Sequence, residues 1–173
     1  MKIQTYKYHH LPELLKYEIK EIEQKEFGHV PIVKSITWAL PDITVIAFMN
    51  ETLVGHLNLV LRSIKLDNTE YQCAGINNLI VNSNTRGKKI GSKLLLYAKT
   101  YAITELNGDL ILLLCATELT NYYSKHQWEK VSVPVYYNQP TQDDLLWKAE
   151  TMILPLAELL TPSNKIHLNG LPW

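Results

Sequence analysis

Asn82-Ser83-Asn84-Thr85-Arg86-Gly87-Lys88-Lys89-Ile90-Gly91-Ser92-Lys93 joins a stretch of strand character ending near Val81 to one of helical spacing starting near Lys88. A chain that runs from strand through a turn into a helix presents unpaired backbone N–H groups and the positive end of the macrodipole to whatever lies ahead of the helix. Pyrophosphate is a natural guest of such a place. Gly87 and Gly91 allow a ligand close to the backbone, and Arg86, Lys88, Lys89 and Lys93 add cations. Gly87 and Gly91 are separated by three residues and followed by Ser92-Lys93, which does not fit a Walker loop. The dinucleotide pattern G-x-G-x-x-G is missing as well. A solvated basic helix start has the same composition, and the local residues leave both readings open.

The order of elements around this stretch carries more. Met1 to Tyr8 alternates weakly and predicts a first strand; Leu11 to Phe27 places Leu11, Leu15, Ile19 and Ile22 on one helical face. Ile43 to Phe48, Leu53 to Leu66 and Tyr71 to Val81 read as three strands separated by Asn50-Glu51 and Asp67-Asn68, an antiparallel meander. From Lys88 to Ala102 the period becomes helical through Ile90, Leu94, Tyr97 or Ala98, and Tyr101. Leu110 to Cys115 is a continuous apolar run, the pattern of a strand buried on both faces. Thr117 to His126 predicts a helix, Trp128 to Tyr137 a strand, Pro140 to Asp144 a loop and Thr151 to Leu154 a last strand. The sum is β-α-β-β-β-α-β-α-β-β, an α/β (α+β) fold with a mixed sheet carrying helices.

At 173 residues the chain fits one domain, 1–173, of which Pro155 to Trp173 reads as a loop-rich tail. Lys and Arg number 17 against 17 Asp and Glu, so the bulk cationic footprint of a nucleic-acid binder is missing. The longest apolar run, Leu110 to Ala116, falls far short of the ~20 residues that span a bilayer. No apolar stretch of signal-peptide length follows the first residues, so the expectation is a soluble, cytoplasmic protein without membrane or nucleic-acid partners. Cys73 and Cys115 sit in apolar surroundings without a Cys or His at metal-ligand spacing, which predicts reduced core thiols and no metal.

Leu79-Ile80-Val81-Asn82 followed by Arg86 to Leu95 resembles the acyl-CoA pyrophosphate motif of the GNAT superfamily of N-acetyltransferases, Q/R-x-x-G-x-G/A. Arg86 and Gly91 match its ends, and Lys89 stands where the first glycine is usual. The element order is also that of the superfamily. The resemblance implies a mostly antiparallel central sheet with helices on both faces, in which the strand ending at Val81 splays from the Leu110 strand. It implies acetyl-CoA as co-substrate, held by Arg86, Gly87, Lys88, Lys89, Ile90, Gly91 and Ser92 at the pyrophosphate, with Leu79, Ile80 and Val81 along the pantetheine arm. Tyr122-Tyr123-Ser124-Lys125-His126-Gln127-Trp128 resembles a second signature, aromatic-Tyr-x-x-x-Gly-aromatic, with Gln127 in place of glycine. Tyr123 then falls on the tyrosine that protonates the departing thiolate, a role that a phenol with a pKa of ~10 can fill at neutral pH.

Trp38-Ala39-Leu40, Leu53-Val54-Gly55-His56, Arg62, Pro140-Thr141, Asp143-Asp144 and Trp173 fall in the order seen in aminoglycoside 2'-N-acetyltransferases, the nearest branch by resemblance. The substrate side departs from it. Asn77 stands where that branch has a glutamate and Leu171 where it has an aspartate, losing contacts worth roughly 1.5–3 kcal/mol each to an ammonium group. Asp42, Glu70, Asp143, Asp144 and the Trp173 carboxylate are the candidates to compensate, and a smaller, less basic amine fits better. His56 is a candidate general base, its ordinary pKa of ~6.5 being suited to an amine proton, although a lone strand histidine can equally be structural. The expected function is acetyl transfer from acetyl-CoA to a primary amine on a small or aminoglycoside-like acceptor, Asn77 and Trp173 lining the acceptor side. A non-catalytic acyl-CoA-binding regulator and a protein or peptide N-acetyltransferase are the alternatives. A homodimer is left open.

Overall fold

The computed structural model describes residues 1–156 and 163–173. The remaining six, part of the expected tail, lie outside the described residues. The elements are β1 (Lys2–Lys7), α1 (Glu13–Phe27), α2 (Pro31–Ser35), β2 (Ile43–Met49), β3 (Thr52–Leu66) and β4 (Thr69–Val81). They continue with α3 (Ile90–Thr104), β5 (Leu110–Cys115), α4 (Thr120–Ser124), β6 (Glu129–Lys130), β7 (Val135–Gln139), β8 (Gln142–Leu146), β9 (Glu150–Pro155) and β10 (Ile166–His167).

One sheet runs β6-β9-β5-β4-β3-β10-β7-β8, with β2 on the first half of β3 and β1 on β2. All pairs are antiparallel except β4 with β5 and β10 with β7. Strand alternation divides the core. Val45, Ala47, Ala74 and Ile76 face the buried side of α3, which contributes Ile90, Leu94, Leu95, Ala98 and Ala102. Ile46 and Leu53 pack on the opposite side of the sheet against Ile19 of α1 and Leu11 just before it. Helices therefore cover both faces, as the fold class requires.

Leu110 to Leu113 of β5 are at most 1% exposed, and burying such side chains contributes roughly 1.5–3 kcal/mol each. β5 is thus anchored, and β4 is the strand that diverges. Their parallel pairing runs from Cys73–Leu110 to Ile76–Leu113 and stops, while β4 continues against β3 to Val81 and β5 against β9 to Cys115. The divergence begins at a bulge. Between His56–Ile80 and Asn58–Asn77 the register slips, β4 holding one residue more than β3, and Asn78 takes φ +51°. An extra residue bends the bulged strand and raises its twist, which opens a wedge between β4 and β5.

Three local expectations are corrected. Trp128 to Tyr137 is not one strand: β6 and β7 are separate, and Pro134, which has no N–H for a ladder, lies between them. The expected loop at Pro140 to Asp144 is a hairpin in which Gln139 pairs Gln142 and β8 begins at once. Thr117 to His126 is a single 3-10 turn, Thr117–Leu119, followed by the short α4. The structure adds α2, whose Pro31 occupies the first turn where a missing N–H costs nothing. Within the tail, β10 inserts between β3 and β7.

Candidate active site

The wedge between β4 and β5 opens into a cavity of about 620 Å³ that brings together both sequence signatures. Leu79, Ile80 and Val81 line one wall, Arg86, Gly87, Lys89, Ile90, Gly91 and Ser92 one end, and Tyr122 and Tyr123 the far side. Glu26 and Phe27 from α1 complete it, with Leu119. Lys88 is exposed beside this group and outside the lining.

The first turn of α3 has no side-chain cap, so its leading N–H groups remain available to an anion. Lys89, at the N-cap, takes φ +58° and ψ +24°, the left-handed conformation for which glycine is favoured. Gln127, the other departure from a glycine, takes φ +67°. There the N–H groups of His126 and Trp128 both return to the carbonyl of Tyr123, closing the end of α4. Both positions thus keep the backbone shape of glycine while carrying a side chain, at a strain of roughly 1–2 kcal/mol each. At Gly91 close approach is real: a Cβ would lie 2.6 Å from the Tyr122 hydroxyl.

Tyr123 is 7% exposed, with its ring edge-on to Tyr122 and Trp128 at 5.3 and 5.9 Å between centroids. Burial pushes its phenol well above the ordinary value, and the neighbouring Cys115 and Tyr122 push the same way. It is a neutral donor throughout the physiological range. Cys115, half-buried on β5, is itself raised to about 11 by burial and by Glu150, and fully buried Cys73 is raised further. Both are inert thiols, in line with the reading of core cysteines.

At the α3 end of the cavity, Arg86 Nη2 lies 3.2 Å from both carboxylate oxygens of Glu26, and its Nε donates to the Val81 carbonyl at 3.3 Å. His126 meets Ser92, Nε2 to Oγ at 3.0 Å.

Residues 13–131 match the acetyltransferase (GNAT) domain family. The chain belongs to the GNAT acetyltransferase family. Solved structures share its fold at low identity. Escherichia coli ElaA is 15% identical with a TM-score of 0.59, covering 88% of this chain and 99% of its own. Escherichia coli YhbS, a GNAT family N-acetyltransferase in complex with CoA, is 13% identical with a TM-score of 0.57, covering 97% and 89%. The aminoglycoside 6'-N-acetyltransferase from Enterococcus faecium is 16% identical with a TM-score of 0.59, covering 93% and 100%. No curated protein matches the sequence.

The remaining expected GNAT site residues lie away from the cavity lining. His56 is fully buried on β3, its Nε2 3.3 Å from Oε1 of Glu23 on α1, and its Nδ1 has no hydrogen-bond partner. Asn77 is paired with Asn58 on β4, just before the bulge. Trp173 is 2% exposed, its indole donating to the Leu112 carbonyl at 3.3 Å and lying 5.6 Å from the Arg62 guanidinium. Three of the acids considered for an ammonium have other partners. Asp42 accepts the Leu61 N–H at 2.7 Å, Glu70 the Ser63 hydroxyl at 3.1 Å, and Asp144 meets His167 at 2.8 Å.

Glu26 lines the cavity, and Glu23 lies one turn earlier on α1; the sequence reading leaves out both as site residues. Their i, i+3 spacing, with Phe27 at i+4, is the signal that puts them on one helical face. Burial pushes the Glu23 carboxyl up, but hydrogen bonds from His56, Asn78 and Asn58 outweigh it and hold it below the ordinary value.

Proposed function

We propose that this chain is an acetyl-CoA-dependent N-acetyltransferase that acetylates a primary amine on a small molecule, the whole of 1–173 acting as one domain. The observation that carries this reading is a single cavity joining the free edge of β4, the uncapped start of α3 and a buried protonated phenol.

In this reading Arg86, Gly87, Lys88, Lys89, Ile90, Gly91 and Ser92 hold the pyrophosphate through backbone N–H groups and cations. Leu79 and Val81 offer backbone groups to the pantetheine amides, with Ile80 between them. Bound acetyl-CoA supplies the thioester whose acyl carbon the amine attacks. Tyr123 gives a proton to the departing sulfur, and His56 accepts the proton released from the amine, relayed by water because its ring does not line the cavity. Alignment of amine and thioester supplies much of the acceleration, since positioning can be worth ~7–11 kcal/mol.

The acceptor follows from the charges. Glu26 is engaged by Arg86 and Glu23 by side-chain donors, so neither is left for a polycation. A monoamine suits this wall better than the aminoglycosides that the resemblance to the 2'-type branch brings to mind. Calorimetry should give a clear heat with both CoA and acetyl-CoA, and a mixed amine panel should show turnover. No binding of either ligand would sink the reading, and binding without any turnover would make the chain a non-catalytic acyl-CoA binder.

Glu26 bears on affinity directly. Its carboxylate holds Arg86 in the region assigned to a dianion, so ligand must compete for that guanidinium. Exposed ion pairs are worth ~0.2–1 kcal/mol, so Glu26→Gln is expected to tighten CoA binding by about two- to fivefold at low salt. The gain should shrink at high salt as screening grows. A weaker or unchanged Kd would remove Glu26 from the competition.

A further inference from the structure

One carboxylate from α1 gathers side chains on both flanks of the β4 bulge. Asn58 Nδ2 donates to Glu23 Oε1 at 3.0 Å, and His56 Nε2 lies 3.3 Å from the same oxygen. These two residues bracket Leu57 on β3, opposite the extra residue of β4. The side chain of Asn78, the left-handed residue at the bulge, faces the same carboxylate and helps to hold its pKa down. Asn58 is fixed in turn by the Thr44 hydroxyl, which donates to its Oδ1 at 2.8 Å, so β2, β3, β4 and α1 share one buried network. His56, Asn58 and Thr44 are at most 1% exposed.

An ionised carboxylate only accepts hydrogen bonds, so each partner must turn a donor toward Glu23. That requirement sets the Asn58 amide orientation and puts the His56 hydrogen on Nε2. Without the tether the bulge keeps its place, because buried side chains on both flanks specify the register, but the bend of the strand beyond it loses what holds it.

We propose that Glu23 is a positioning residue for the thioester arm of acyl-CoA: it holds the bend at the bulge and so fixes the direction in which Leu79 to Val81 leave β5. The inference rests on the acyl-CoA reading of the cavity and adds to it a residue outside both sequence signatures. It also separates two parts of the ligand. The pantetheine arm would meet the strand edge beyond the bulge, whereas the phosphates would meet the loop and α3, which Glu23 does not touch.

The test is calorimetric titration of the full chain with CoA and with adenosine 3',5'-bisphosphate, which has phosphates but no pantetheine. Glu23→Ala should weaken CoA by about tenfold or more and leave the bisphosphate within about twofold. Asn78→Gly keeps the left-handed backbone and removes the tether from the other side; it should give the same split and covers the case of a Glu23→Ala chain that does not fold. Glu23→Gln, which retains one acceptor oxygen, should fall between wild type and Glu23→Ala. Equal losses for both ligands, or unchanged CoA affinity, overturn the inference while leaving the acyl-CoA reading intact. A wild-type chain that binds CoA in neither titration nor competition overturns that reading and this inference with it.

Discussion

Replacing Tyr123 by phenylalanine is expected to lower kcat by roughly 10²–10⁴-fold, the usual worth of a positioned general acid, while the Kd of CoA stays within about threefold. The substitution removes one hydroxyl from a ring that is packed edge-on against Tyr122 and Trp128. Those ring contacts survive in phenylalanine, so the fold should be largely unaffected. What is lost is the donor on the cavity wall. Without it, negative charge on the departing sulfur must be met by water in a site that buries its tyrosine.

The direction of the phenol's titration makes this separable from a generic packing defect. Burial, then Cys115 and Tyr122, raise the Tyr123 pKa above its ordinary value of 10.0. The proton-donating form is therefore fully populated at neutral pH and is lost only as pH rises through that higher value. Wild-type kcat should show no descending limb from this group below pH ~10. Tyr122→Phe is the internal control, since its hydroxyl sits against Gly91 at the start of α3. It should affect CoA affinity more than kcat. A Tyr123→Phe enzyme retaining more than about a third of wild-type kcat would remove Tyr123 from proton transfer.

Much of this architecture is legible in the residues, for reasons that differ by element. Leu110 to Cys115 announces a strand buried on both faces because every residue is apolar, and the structure buries its first four residues so, leaving Leu114 and Cys115 half-buried. The Arg86 to Lys93 stretch is legible because glycines and cations cluster where strand turns to helix. Glu23 and Glu26 were not, because charged residues on the polar side of an amphipathic helix look the same whether water or a strand bulge faces them. Only the register of β3 against β4 shows that Asn58 and His56 converge on Glu23. The glycine departures at Lys89 and Gln127 read as losses of backbone freedom. The chain accepts left-handed strain there instead, an outcome set by the surrounding turns rather than by the residues.

Gly75→Ala is expected to destabilise the protein by about 1–3 kcal/mol, lowering Tm by roughly 2–12 °C. Gly75 lies on β4 under the indole of Trp173, and a Cβ there would fall well inside contact with Cε2, Cδ2 and Nε1 of that ring. The ring has little freedom to retreat. Its Nε1 donates to the Leu112 carbonyl, the Arg62 guanidinium lies 5.6 Å from its centroid, and Arg62 itself is tied to the Leu168 and Leu171 carbonyls. Either the strand shifts, at an overpacking cost of ~1–3 kcal/mol, or the indole leaves, at ~3–5 kcal/mol as for a Trp→Ala truncation. The cheaper response sets the observed loss. A double-mutant cycle distinguishes this clash from ordinary loss of glycine: adding Gly75→Ala to Trp173→Ala should cost much less than adding it to wild type, with a coupling of ~1–3 kcal/mol. Additive effects would mean that the two positions do not meet. Because Gly75 is one residue before the last β4–β5 pair at Ile76 and Leu113, a strand shift at this point is transmitted into the wedge. Any Gly75→Ala protein that remains folded should therefore bind CoA more weakly than wild type, and Trp173→Ala should restore part of that affinity.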